Sequence, residues 1–232
     1  MSHFTVAVIT KTKDIEEIKK ILNHYWEELE VEPYIYKTKE EIIEQAKEWK
    51  KKIERKEING FSEEFMNKYI SANTDEELYQ IEKDDYCKYD ENGNELSTYN
   101  PNSKWDWYDI GGRWRNQLLT REDNNDTFEH NSFVEHLRGF DDIKQASKGY
   151  KWVNGAKIKD IDFNKMEELS KEPFCTWALV DDTGWYEQGQ MGWWAMNDAT
   201  NETTKKFEEF FKDYISKEEN QDKYLIIVDC HI

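Results

Sequence analysis

The sequence offers none of the spacings that announce common chemistry. Neither GxGxxG nor a Walker pattern occurs in the 232 residues, so dinucleotide and ATP cradles are unsupported. HExxH, HxH and clustered cysteines are missing too, and no metal site or other cofactor is expected. There is no GxSxG, and none of Cys87, Cys175 and Cys230 has a context that lowers a thiol pKa, which leaves nucleophilic catalysis without support. These cysteines are odd in number, far apart and free of CxxC, as in a reduced cytosolic protein without a disulfide framework. No run approaches the roughly 18 apolar residues of a membrane span. The start, "MSHFTVAVIT", lacks the basic region of a secretory signal. Positive charge is scarce: Lys and Arg number 32 against 50 Asp and Glu, for a net charge of −18. Nonspecific binding to nucleic acid is therefore disfavoured.

What is abundant is aromatic and acidic. Rings make up 15% of the chain, with 10 Trp and 13 Tyr, while the hydrophobic fraction is only 37% and the charged fraction 35%. That composition argues against disorder and for a ring-built core surrounded by charged helices. The densest acidic block runs from Asp75 to Glu95 and includes Asp75, Glu76, Glu77, Asp84, Asp85 and Asp90. It reads either as a solvated surface or as a face for a basic protein, imitating nucleic acid.

Periodicity gives the frame. "HFTVAVIT" (3–10) and "KYLIIVDCHI" (223–232) read as buried strands of one sheet. Asp14, Thr38 and Thr74 read as helix N-caps, Thr74 forming a capping box with Glu77. The helix after Thr38 is expected to run to Asn59-Gly60. "VEPYIY" is extended, "DENGNE" is a turn, and "REDNNDTFEHN" reads as a mobile polar loop. "SFVEHLRGFDDIKQASKG" is expected to hold short helices, and another ends before Pro173. Phe174 to Gln190 reads as a hairpin whose Thr183-Gly184 turn supplies a positive φ. An amphipathic helix then carries Phe207, Phe210, Phe211 and Tyr214. The expectation is a single α+β domain over 1–232 with a largely antiparallel sheet, its core a split β-α-β-β-α-β, ferredoxin-like arrangement. A helical insertion over 11–96 packs on that sheet. Residues 97–232 carry the Trp-rich motif, the hairpin, the last helix and the final strand.

The stretch to explain is "SKWDWYDIGGRWRNQ" (103–117). If it is extended, alternation puts Trp105, Trp107 and Asp109 on one face and Asp106, Tyr108 and Ile110 on the other. Gly111-Gly112 allows a sharp bend that brings Arg113 back toward Asp109. Two arrangements fit. One is a Trp-rich core corner with an internal Asp109–Arg113 ion pair. The other is a ligand site walled by Trp105, Trp107 and Trp114 and oriented by Asp109 and Arg113. "GWYEQGQMGWW" (184–194) echoes the motif and adds Trp185, Glu187 and Trp193 as candidate lining residues. His3 and His231 sit at mirrored ends of the chain and can meet if the terminal strands pair. Asp229 then shares the face of His231, and Cys230 takes the other. His24, His130 and His136 carry no assignment.

"MSHFTV", "VEPY", "STYNPNSKWDWYDIGGRW", "GWYEQGQMGWW" and "VDCHI" together resemble a family of bacteriophage and prophage proteins, from the first residue to the last. The resemblance implies an accessory protein acting in a bacterial cytoplasm, and the Lys, Glu, Asn and Ile bias fits a low-GC host. It brings no catalytic residues to carry over. The leading expectation is a noncatalytic counter-defence protein, an anti-CRISPR candidate, that binds a small nucleotide-like ligand or a host protein. The alternatives are an acidic inhibitor of a host nuclease or CRISPR effector, and a hydrolase using His3, His231 and Asp109 on a nucleotide or sugar.

Overall fold

A computed structural model describes residues 2–58, 60–129, 148–192, 194 and 196–232. The chain forms two compact units, one from Met1–Leu29 with Asn100–Ile232, the other from Glu30–Tyr99. Its elements are β1 (His3–Thr10), α1 (Ile15–Asn23), β2 (Tyr34–Lys37), α2 (Lys39–Glu54), α3 (Glu63–Ser71), α4 (Asp75–Glu82), β3 (Lys88–Tyr89), β4 (Glu95–Ser97) and β5 (Trp107–Ile110). They continue with β6 (Leu118–Arg121), β7 (Thr127–Phe128), β8 (Tyr150–Val153), β9 (Gly155–Lys157), α5 (Phe163–Ser170), β10 (Ala178–Val180), β11 (Trp185–Glu187), α6 (Asn201–Ser216) and β12 (Tyr224–His231). This is an α+β architecture.

The first unit is organised by a mixed seven-stranded sheet in the order β11-β10-β1-β12-β9-β7, with β5 also paired to β12. β1 and β12 run antiparallel along their whole length, from His3 opposite His231 to Thr10 opposite Tyr224. β1 and β10 are the parallel pair. The terminal strands and the hairpin thus share one sheet, as the apolar runs predict. Alternation sends Phe4, Val6, Val8, Ile226 and Val228 to one face, against Ile18 and Leu22 of α1. Ala7, Ile9, Leu225 and Ile227 go to the other, against Phe207, Phe211 and Tyr214 of α6. Each such side chain removed from water contributes about 1.5–3 kcal/mol. The strands β1, β10, β11 and β12 with α1 and α6 follow a β-α-β-β-α-β order, but the helices lie on opposite faces and a ferredoxin-like core is not shown.

The second unit combines α2–α4 with an antiparallel sheet in the order β2-β4-β3. Its core is Ala46, Ile53, Tyr69, Ala72 and Leu78. Thr38 and Thr74 each form a capping box, with Glu41 and Glu77. The inserted unit begins at Glu30, because α1 buries Ile18 and Leu22 against the first unit's sheet.

Local details depart from expectation. α2 ends at Glu54, with Arg55 as its C-cap, short of Asn59-Gly60. The Thr183-Gly184 turn needs no positive φ. Instead the Asp181 carboxylate accepts from the Thr183 N–H at 2.8 Å, the Thr183 hydroxyl at 2.6 Å and the Gly184 N–H at 3.1 Å. The polar segment after Arg121 contains β7. Its Asp126 is fixed by Lys13 at 2.9 Å, Lys157 at 2.9 Å and the Tyr224 hydroxyl at 2.7 Å. These contacts hold the Asp126 carboxyl well below the usual range, the Lys157 hydrogen bond contributing most. The short helices expected around His130 and His136 lie outside the described residues.

Candidate functional site

His3, His231, Asp109 and Asp229, all singled out in the sequence, converge at the end of the sheet where β1 begins and β12 ends. Register makes this unavoidable. His3 faces His231 across β1–β12, while Trp107 faces His231 and Asp109 faces Asp229 across β5–β12. Period-two alternation then puts all five on the same face. The His3 and His231 ring centroids are 4.9 Å apart at 74°. Trp107 stacks on His231 at 5.1 Å and 19°, and meets His3 edge-on at 5.3 Å.

Each imidazole has its own carboxylate. His3 Nδ1 lies 2.9 Å from Asp229 Oδ1, and His231 Nδ1 lies 2.6 Å from Asp106 Oδ1. Each carboxylate oxygen can accept a hydrogen bond from the Nδ1–H of its imidazole. The side chains of His3 and His231 are 8% and 4% exposed, and Asp229 is fully buried. His231 Nε2 is buried with no hydrogen-bond partner among the described residues. Asp106 was assigned to the opposite face by alternation. It belongs here because the strand begins only at Trp107, and the Asp106 N–H donates to the His231 carbonyl at 2.9 Å.

The glycine pair completes the cluster. Gly111 and Gly112 have φ of +80° and +47°, so both sit where a side chain is disfavoured. A Cβ on Gly112 would lie 2.3 Å from Asp229 Cβ, and one on Gly111 would lie 2.8 Å from Asn154 Oδ1. The bend occurs as expected, but its electrostatics differ. The Arg113 backbone N–H, not its guanidinium, comes back to the sheet and donates to Asp229 Oδ2 at 3.0 Å. The Arg113 side chain is exposed and makes no ion pair with Asp109, which is buried.

The sheet separates the remaining candidates. Trp105 is core: it lies with Tyr108 and Ile110 on the α1 side, stacked against Trp26, and its indole donates to the Leu22 carbonyl at 3.1 Å. The expected shared face of Trp105, Trp107 and Asp109 therefore fails between 105 and 107, where an isolated bridge from Trp26 to Trp105 precedes the strand. Trp185 packs on the α1 side as well, and its indole donates to Glu187 at 2.8 Å. Glu187 is further paired with Lys104 at 2.7 Å. Trp114 is half-buried against the α6-side core. Trp193 lies outside the described residues. Of the motif tryptophans in the described chain, Trp107 is the one left 40% exposed on the histidine face.

The acidic block has structural work within its own unit. Asp75 pairs with Lys47 at 2.8 Å and Glu76 with Lys39 at 2.7 Å. Glu77 closes the α4 capping box, Asp84 accepts from the Tyr86 N–H, and Asp90 accepts from the N–H groups of Asn92 and Asn94. Asp85 makes no such contact among the described residues. The thiols are poor nucleophiles: burial pushes Cys230 well up and Cys175 up to about 12. Among the described residues no group of three or more His, Cys, Asp and Glu side chains is arranged to hold a metal ion, and no helix is long and apolar enough to cross a membrane.

No protein-family model matches the chain, and neither the curated proteins nor the solved structures contain a match to it.

Proposed function

We propose that this is a noncatalytic bacteriophage accessory protein that acts in the bacterial cytoplasm by binding a host protein, in opposition to host defence. The observation that carries the reading is the Trp107 ring, 40% exposed and stacked on a buried His231. Exposed Trp and Arg side chains on rigid backing are the residues that dominate protein interfaces. Arg113 is exposed on the bend whose N–H caps Asp229, so the same cluster fixes the backbone of both anchors. A pocket walled by three tryptophans has lost its support, since Trp105 is core. The nucleic-acid mimic is the weaker alternative, because Asp75 and Glu76 are paired with lysines of α2.

A hydrolytic reading rests on the His3–Asp229 pair, which has the form of an oriented general base. It requires substrate to reach imidazoles that Trp107 covers.

The test uses the purified full chain and its Trp107→Ala and Arg113→Ala variants as baits in a host lysate, followed by reconstitution with the purified captured protein. One host protein should be held by the parent chain and lost by both variants, and the variants should lose protection of phage plating on a defended host. Equal retention by all three overturns the reading. Hydrolysis of a nucleotide or sugar ester that disappears in His3→Ala establishes the enzymatic alternative instead.

A further inference from the structure

At the other end of β1 the molecule has an open volume of about 400 Å³, within the roughly 300–1,000 Å³ range of small-molecule sites. It lies where β1 ends at Thr10 and its parallel neighbour β10 ends at Val180. Parallel neighbours deliver their following loops to the same edge, and crevices at the carboxyl ends of such strands are where open sheets take ligands. One wall is Lys20 of α1 together with Tyr25, just beyond the end of that helix. Another is the β10–β11 turn, and Lys223, just before β12, closes a third side.

The walls differ in what they need. The turn is complete: buried Asp181 accepts from Thr183, Gly184 and the Tyr214 hydroxyl, so its shape is fixed. The cations are not. In a chain with 50 carboxylates, Lys20 has no ion-pair partner among the described residues. Lys223 has none either. Its ammonium rests over the Tyr214 ring at 5.6 Å and 3.4 Å from the hydroxyl. Lys11 has only an exposed contact of 3.4 Å with Asp182. Tyr25 adds an aromatic surface, held 5.0 Å from Trp185. Burial raises its phenol pKa, which keeps it a donor.

We propose that this cavity binds a small aromatic phosphate monoester of mononucleotide size. The phosphate takes the place of the missing carboxylate partners of Lys20 and Lys223, and the ring lies against Tyr25. Glu17 and Asp182 line the same volume and supply acceptors for sugar hydroxyls. The site is independent of the Trp107 face and uses none of its residues.

The test is calorimetric titration of the full chain with adenosine monophosphate, adenosine and inorganic phosphate as separate probes. Adenosine monophosphate should saturate one site and bind more tightly than either fragment. Lys20→Glu and Lys223→Gln should each weaken it by about tenfold or more, the scale of one lost charge-assisted contact. Lys212→Glu, a reversal outside the cavity, serves as the charge control and should leave the affinity unchanged. Because Trp185 touches Tyr25, its fluorescence should follow the titration. Failure of adenosine monophosphate to saturate, equal binding of adenosine, or equal effects of Lys20→Glu and Lys212→Glu would overturn the proposal. None of these results depends on whether a host protein binds the Trp107 face.

Discussion

The two ends of the β1–β12 pair carry polar side chains in different states of completion. At the histidine end, Asp229 accepts from His3 and from the Arg113 backbone, Asp106 accepts from His231, and Gly112 leaves no room for a methyl group. At the opposite end, Lys20 and Lys223 border an open volume and form no ion pair among the described residues, although Glu17, Asp181 and Asp182 line it too. Hydrogen bonds in a low-dielectric setting fix geometry, and they do so at the histidine end although the buried His231 Nε2 has no partner there among the described residues. The residues that looked most functional in the sequence are therefore largely a frame. Its exposed products are one indole and one guanidinium.

The sharpest way to break this contrast is at the glycine bend. Gly112→Ala combines a positive φ with a Cβ placed on Asp229 and should cost about 3 kcal/mol or more. Gly184→Ala, at a turn with no positive φ, should stay within about 0.5 kcal/mol. Urea denaturation of the pair tests the claim, and equal stabilities would show that the bend is not tight. Asp229→Ala comes next, at about 2–4 kcal/mol, because it leaves the part-buried His3 N–H and Arg113 N–H without their acceptor. Asp229→Asn, which keeps one acceptor oxygen, should recover part of that loss. No recovery would mean that shape rather than hydrogen bonding holds the cluster.

How much of this was legible in the sequence follows from which interactions are local. The Asp14, Thr38 and Thr74 caps act within three residues, and the terminal strands are rich in apolar, β-branched residues, so both could be read directly. The meeting of His3 and His231 needed only the assumption that those strands pair. The misassigned Trp105 depends on a bridge to Trp26, nearly eighty residues away, which no alternation pattern records. β8 and β9 were not anticipated, because "YKWVNGAK" is short and mixed and pairs with strands distant in sequence. The lysine-lined cavity has no local signature for the same reason. Lys20, Asp182 and Lys223 come from three separate segments.

A smaller effect, in pH, sharpens the other end of the comparison. Burial alone would raise the Asp181 pKa, but the Thr183 and Tyr214 hydroxyls and two turn N–H groups outweigh it and lower the value. A depressed carboxyl pKa adds stability above its unfolded value of about 3.9, and that stability is lost as pH falls through the folded value. Tyr214→Phe removes one of those hydrogen bonds. It should cost about 1 kcal/mol at neutral pH and flatten the acid side of the stability profile. An unchanged profile would mean that Asp181 does not hold the turn.

Arg113 joins the two, its backbone belonging to the frame and its side chain to the surface. A buried Asp109–Arg113 pair would make Arg113→Ala cost about 3–5 kcal/mol. With the guanidinium exposed, the cost should be below about 0.5 kcal/mol. Measuring the unfolding free energy of Arg113→Ala alongside its binding of the host partner is the most direct test. The expected result is parent-like stability with binding lost. A variant as stable and as well bound as the parent chain, or one that unfolds readily, would contradict it.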